Sequence, residues 1–300
     1  MRKHLILAFS LYAPLHCMEQ PLITHKSDRE PREWDAQAYD EGNKLQTSTF
    51  LHFLKTYNIK TEQLTILDVG CGTGKITAQL AEKATHIHGF DASKNMIDFA
   101  RNKYGHLKNV SFEHAFAEDF TSPNLKQLAL ASYCIHWFED KKQAFQRIHD
   151  SLEIGGEFFA TIKTSDNPLP MNLIVATEMM PLVETMVSFA TGKSLLELIG
   201  SSYPSHEEFN AMLCETGFEI IKSEEQSFDC IMDEDELRKL QWPIVSSRPI
   251  VKYIPDIFVQ SLFENFMNRY IEKLPKTNNG KFLEKIFTTI IHARKIKNDS

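Results

Sequence analysis

Apolar residues along this chain follow two alternating rhythms. Between residues 64 and 163, short runs rich in apolar residues alternate with longer stretches whose apolar residues return every three or four places. The runs LTILDV, THIHGF, NVSFEHAF, QLALASY and EFFATIK predict five strands. LTILDV has apolar side chains on both faces, as central strands of a parallel sheet require. The stretches between them predict helices: Gly74 to about Lys83, ASKNMIDFARNKYG with Ser93 as its cap and an end near Gly105, and EDKKQAFQRIHDSLEIGG, stopped by Gly155-Gly156. Upstream, a helical pattern from about Gly42 to Tyr57 places Phe50, Leu51 and Leu54 on one face.

Strands alternating with helices at this spacing imply an α/β fold, a parallel sheet covered by helices on both faces. Right-handed crossovers leave an open doubly wound sheet, with its ligand crevice at the carboxyl ends of the strands. The later sequence is less regular. NLIVATEMMPLVETMVSFATG reads as helical with a break near Pro181, SHEEFNAMLCETGF as a helix ending at Gly217, and EIIKSEEQSFDCIM as a strand. A mostly helical stretch follows over about 233–282, and KIFTTIIHARK closes the chain as a strand. About fifty residues thus separate the last two strands, far more than an ordinary connection. That insertion is expected to cover a substrate; packing or a dimer contact is the plainer alternative.

Composition narrows the class. An apolar fraction of 42% and a charged fraction of 24% in 300 residues are those of a soluble globular enzyme. A net charge of -7 argues against a general nucleic-acid binder, which needs a basic face. The one basic cluster, HARKIK, reads as a solvated chain end. Cys17, Cys71, Cys134, Cys214 and Cys230 are scattered without a CxxC pair, as isolated reduced thiols would be, which suits a cytoplasmic protein. Against that stands MRKHLILAFSLYAPLHC, whose basic start and short apolar run resemble a secretory signal too short to span a membrane. Met18 as the true start is the alternative. The expected division is therefore residues 1–17 as signal or extension, an N-terminal segment over 18–40, and a body over 41–300 with a helical cap at about 233–282.

The strand LTILDV runs into GCGTGK, and what rests on that turn decides the chemistry. A triphosphate loop is excluded, because Ile76 follows Gly74-Lys75 where Ser or Thr is required and Val69 holds the first glycine position. A dinucleotide turn needs a small third position for close helix–strand packing; Lys75 stands there, which disfavours NAD or FAD. The third glycine comes one residue early, as G-x-G-x-G.

LDVGCGTG resembles motif I of the class I S-adenosylmethionine-dependent methyltransferases and matches its usual form at every position. The resemblance implies a Rossmann-like seven-stranded sheet with an antiparallel last strand, and S-adenosyl-L-methionine as cofactor. It places Gly70, Cys71, Gly72 and Gly74 along the cofactor, Asp68 toward its ammonium end, Asp91 on the ribose hydroxyls, and Ala92 and Met96 beside the adenosine. An ordinary core role for Met96 stays open. In AFAEDF, which brings Ala117 and Glu118 to the adenine, Phe116 replaces the aspartate the family commonly uses. SYCIHWFED, beginning at Ser132, and the upstream YDEGNKLQ resemble a narrower group that includes the trans-aconitate and juvenile hormone acid methyltransferases. By that likeness Tyr39 and Gln46 cover the cofactor and face the substrate.

The resemblance implies a small-molecule acceptor. For a carboxylic acid, Trp137 and Gln46 would hold the carboxylate and no base is needed. For a hydroxyl, phenol or carbon acid, His136 is the candidate base; a histidine packed at a strand end is the alternative reading. Methylation in quinone or biotin synthesis is a second function, and a non-catalytic or secreted protein reusing the fold a third. His86, His88 and His114 lack a recognised metal-ligand spacing.

Overall fold

The computed structural model describes residues 33–167, 179, 203–246 and 256–296. The N-terminal apolar run, and most of the helix expected over 172–192, lie outside them. The described residues fall within one compact unit.

Its sheet has seven strands in the order β3-β2-β1-β4-β5-β7-β6. β1 (Thr65–Val69), β2 (His86–Asp91), β3 (Val110–His114), β4 (Lys126–Ser132) and β5 (Leu152–Ile162) run parallel. β7 (Phe282–Lys295) lies antiparallel between β5 and β6 (Phe218–Met232), with Ile162 opposite Thr289. The order reverses between β1 and β4, where the two neighbouring crossovers lead away to opposite faces and leave a crevice.

The helices are α1 (Ala36–Gly42), α2 (Lys44–Thr56), α3 (Lys75–Ala81), α4 (Lys94–Tyr104), α5 (Lys141–Asp150), α6 (His206–Glu215), α7 (Glu234–Ser246) and α8 (Asp256–Lys273). Local chemistry sets their starts. Ser93 accepts from the Met96 amide and Asp140 from the Gln143 amide, while Ser205 and Glu208 form a reciprocal capping box. Asp233 and Glu236 do the same at α7, so the acidic DEDEL run is a helix start. Alternate residues of β1 feed opposite layers: Leu67 and Val69 pack toward α5 and α6, Ile66 toward α2 and α3. A third cluster joins α7 and α8 to the ends of β6 and β7 through Leu237, Phe263, Met267, Tyr270 and Phe282.

One local expectation is corrected and one helix is added. α1, capped by Asp35 and ending at Gly42, precedes the helix expected from about Gly42 to Tyr57, which is α2. α5 stops at Asp150 and does not reach Gly155-Gly156; Leu152, fully buried, already pairs with Lys126 as the first residue of β5. The glycine pair lies inside the strand, where Gly155 at φ +81° accompanies a register shift.

Candidate functional site

β1 ends at Val69 and the chain turns directly into α3. Gly70, Gly72 and Gly74 have φ of +63°, +54° and +76°, conformations other residues adopt only with strain. Each has a different neighbour. A Cβ on Gly70 would lie 2.5 Å from the Cys134 Cβ, and one on Gly74 2.8 Å from the Phe112 ring. A Cβ on Gly72 would meet only Tyr39 Cε1, at 3.6 Å. Two glycines therefore permit packing, and Gly72 keeps a space open beneath a ring. Such a cradle fits a nucleoside cofactor approaching the backbone.

Two carboxylates flank the turn. Asp91, at the end of β2, accepts from the Gly72 amide at 3.0 Å and the Ser93 amide at 2.9 Å. It is half-buried, and desolvation pushes its carboxyl up against the pull of those two amides. Asp68 is 2% exposed and accepts from the Thr77 hydroxyl at 2.5 Å. Burial raises its pKa to about 7; Thr77 opposes the shift and the nearby Asp91 adds to it. Asp68 thus fastens α3 to β1, a contact its motif position did not reveal.

Residues 33–43 form a strap beside the turn. Glu33 accepts from the Ser93 hydroxyl at 2.9 Å and the Asn95 amide at 3.1 Å, capping α4. Asp40 accepts from the Thr73 hydroxyl at 2.9 Å and from Lys103 at 2.7 Å, with Lys75 at 3.4 Å. Lys75, the residue that argued against a dinucleotide, also donates to the Asp40 carbonyl and, at 2.8 Å, to Asn43 Oδ1. Between these anchors Trp34 and Tyr39 meet edge to face at 5.4 Å. The Tyr39 hydroxyl donates to Gln46 Oε1 at 3.2 Å. Burial raises the Tyr39 pKa, and the negative charge of Asp91 adds to the effect. On its outer side the strap meets the insertion: a Cβ on Gly42 would overlap the Lys239 carbonyl of α7, 2.0 Å away.

The crevice's other wall follows β4. Ser132 is half-buried at the strand end, and Tyr133 takes φ +51°, a rare value for a tyrosine that turns the chain sharply. The Cys134 thiol donates to the Val69 carbonyl at 3.1 Å. A single 3-10 turn, Ile135–Trp137, then brings Trp137 to 5.8 Å from Trp34. His136 stacks on Tyr203 at 5.3 Å and sits 4.5 Å from the Trp137 ring.

The structure therefore gathers Tyr39, Gln46, Gly72, Asp91 and Trp137 around one crevice. The end of β3 adjoins it, since the Ala115 amide donates to the Asp91 carbonyl at 3.1 Å. Phe116 is half-buried there and Ala117 buried. Ala92 presents its carbonyl to His114 Nε2 at 2.9 Å, and Met96 is buried on α4. The Glu118 carboxylate accepts from the Glu139 and Asp140 amides at 2.8 and 3.3 Å, ahead of α5. Cys71 likewise turns inward, packing with Ile97, Ala100 and Phe112. Sequence reading missed Trp34, Glu33 and Asp40, whose only signal was an aromatic and acidic bias just before the first recognised helix. His88 is held between Ser111 and Glu113. Among the described residues no group of three or more His, Cys, Asp or Glu is placed to hold a metal ion, and no helix is long and apolar enough to cross a membrane.

Comparison with known proteins bears on the same segment. Residues 66–156 match the family model of a methyltransferase domain. The chain is 29% identical over 159 residues to the demethylmenaquinone methyltransferase of Chlorobaculum parvum, covering 51% of this chain and 65% of that protein. It is 27% identical over 120 residues to the malonyl-[acyl-carrier protein] O-methyltransferase of Bacillus cereus, covering 39% and 44%. The match thus spans about half the length of these curated relatives. Among solved structures, the Haemonchus contortus phosphoethanolamine N-methyltransferase 2, in complex with phosphomonomethylethanolamine and S-adenosylhomocysteine, superposes with a TM-score of 0.53 at 17% identity, over 87% of this chain and 57% of that one. That likeness shows the fold. Together these observations define the class, a Rossmann-like α/β fold built around a methyltransferase domain. Residues 66–156 are thus similar to the methyltransferase domains of these relatives.

Proposed function

We propose that this chain binds S-adenosylmethionine across the glycine turn and transfers its methyl group to a carboxylate oxygen of a small acid. The observation that carries the acceptor reading is the pairing of Gln46 with Tyr39. Because Gln46 Oε1 receives the tyrosine hydroxyl, its Nε2 is left as a donor beside Tyr39. A donor there suits an anionic acceptor.

In this reading Asp91 accepts from ribose hydroxyls with the lone pairs that Gly72 and Ser93 leave over, and Phe116 stacks against the adenine. The cofactor supplies a methyl already activated on a sulfonium. A carboxylate acceptor is ionised at neutral pH, so the chain has no proton to remove. Its work is alignment and exclusion of water, which fall to Gln46, Trp137 and the strap. The names of the relatives support both a carboxyl oxygen and a quinone precursor as acceptor classes. A second reading, a hydroxyl or carbon acceptor with His136 as base, is favoured by the place of His136 beside Trp137.

Calorimetric titration of the full chain with S-adenosylhomocysteine tests the cofactor. One-to-one binding, lost in Gly72→Arg and weakened in Asp91→Ala, is expected; a folded chain that binds nothing would turn the assignment toward a non-catalytic use of the fold. Methyl esters sought by mass spectrometry from a panel of carboxylic acids then test the acceptor. Retained turnover in His136→Ala separates the carboxylate reading from the base-dependent one.

A further inference from the structure

Trp34 was not singled out by any motif, yet it completes a wall of three rings. It meets Tyr39 at 5.4 Å and 73°, and Trp137 at 5.8 Å and 75°. All three rings are half-buried, and none belongs to a hydrophobic core cluster. Core packing therefore does not account for them. The wall begins over Gly72, where Tyr39 lies 3.6 Å from the place of the missing Cβ. It ends at the turn that closes β4. It is also held rigidly: Glu33, next to Trp34, caps α4, the Trp34 carbonyl accepts from Asn95 Nδ2 at 3.4 Å, and Asp40, next to Tyr39, is clamped by Thr73, Lys75 and Lys103.

We infer that the Trp34–Tyr39–Trp137 wall recognises positive charge, so that a cationic sulfonium is held there more tightly than the neutral thioether it becomes. The inference rests on the cofactor proposed above. Indole and phenol faces attract a cation within about 6 Å of the ring centre, tryptophan most strongly, and attract a neutral group of the same shape far less. Edge-to-face contacts between the rings fix the wall before any ligand arrives, so little ordering is needed on binding. Methyl transfer to a carboxylate leaves the sulfur–carbon electron pair on sulfur, turning the sulfonium into a thioether and the carboxylate into a neutral ester. The wall then loses its attraction at the moment the product forms.

The test compares two ligands on the full chain by calorimetry: S-adenosylmethionine, which carries the sulfonium, and S-adenosylhomocysteine, which does not. Trp34→Leu is expected to weaken the charged ligand about fivefold and the neutral one less than twofold, with Trp34→Phe intermediate. Thermal melts confirm that each variant is folded. If Trp34→Leu does not fold, the ratio of the two affinities in Trp34→Phe decides, with a fall of about twofold expected. Equal losses for both ligands, or no loss for either, overturn the charge reading while leaving the cofactor assignment intact. Failure of the wild-type chain to bind either ligand overturns the cofactor assignment itself, and this inference with it.

Discussion

Asp40 joins the strap to the glycine turn, and Asp40→Asn isolates what that joint contributes. The substitution keeps the size of the side chain and an acceptor for the Thr73 hydroxyl, 2.9 Å away. It removes the charge facing Lys103 at 2.7 Å and Lys75 at 3.4 Å. The Asp40 and Lys75 side chains are 11% and 15% exposed, so their attraction is little screened; a hydrogen bond involving a charge in such a setting contributes about 1.5–3 kcal/mol. Lys103 is 41% exposed, and its share is discounted to about 0.5 kcal/mol. Asparagine still accepts one lysine proton and recovers about 1 kcal/mol, leaving a net cost of about 2 kcal/mol. That cost falls on the attachment of α1 to the turn. In native-state hydrogen exchange the amides of Tyr39 and Asn43, bonded to Asp35 and Tyr39 carbonyls, should exchange about thirtyfold faster. Amides of β1 and β4 should keep their wild-type rates. Uniform acceleration across the sheet would mean that Asp40 supports the whole fold, and unchanged rates in α1 would refute the latch. Acid should act in the same direction. Burial works to raise the Asp40 carboxyl, but Lys103, Thr73 and Lys75 hold it below its ordinary range. Its contribution is therefore complete above the unfolded value of about 3.9 and is lost as pH falls through the lower folded value.

Asp68 should behave oppositely. Its folded pKa is raised to about 7, so the ionised form increasingly destabilises the empty chain as pH climbs from the unfolded value toward neutrality. Asp68→Asn is expected to raise stability at pH 8 by up to about 4 kcal/mol in urea titrations. The same variant should flatten a wild-type decline in S-adenosylmethionine affinity of up to about tenfold per pH unit below 7; a wild-type affinity that does not change with pH would count against Asp68 serving the cofactor's ammonium end. Gly74→Ala combines a left-handed φ of +76° with a Cβ 2.8 Å from the Phe112 ring. A loss of about 2–4 kcal/mol in denaturant midpoint experiments is expected, and an unchanged midpoint would refute the packing role of that glycine. Phe116→Asp, which restores a carboxylate at the end of β3, should tighten S-adenosylhomocysteine about fivefold if the adenine amino group lies there. Weaker binding would favour stacking by Phe116.

What could be read directly from the sequence was local. The pattern of apolar residues marked β1 to β5; in β1 and β4 the runs are nearly continuous because those strands are buried on both faces. Ser93 and Gly105 bounded α4, since capping depends on residues within one turn of the helix end. G-x-G-x-G marked the turn between β1 and α3, because backbone at positive φ leaves a mark in residue type. Tertiary structure decided what depends on partners far apart in sequence. The Glu118 carboxylate meets amides about twenty residues downstream, which no local pattern announced. Leu152 extended a strand where helix periodicity had continued, because Lys126 offered a pairing partner. Trp34, Glu33 and Asp40 became a strap only through contacts with Ser93, Thr73, Lys103 and Trp137. A side chain's type limits the chemistry it can do, but its direction is set by whichever buried donor or acceptor reaches it first, and those donors come together only when the chain folds.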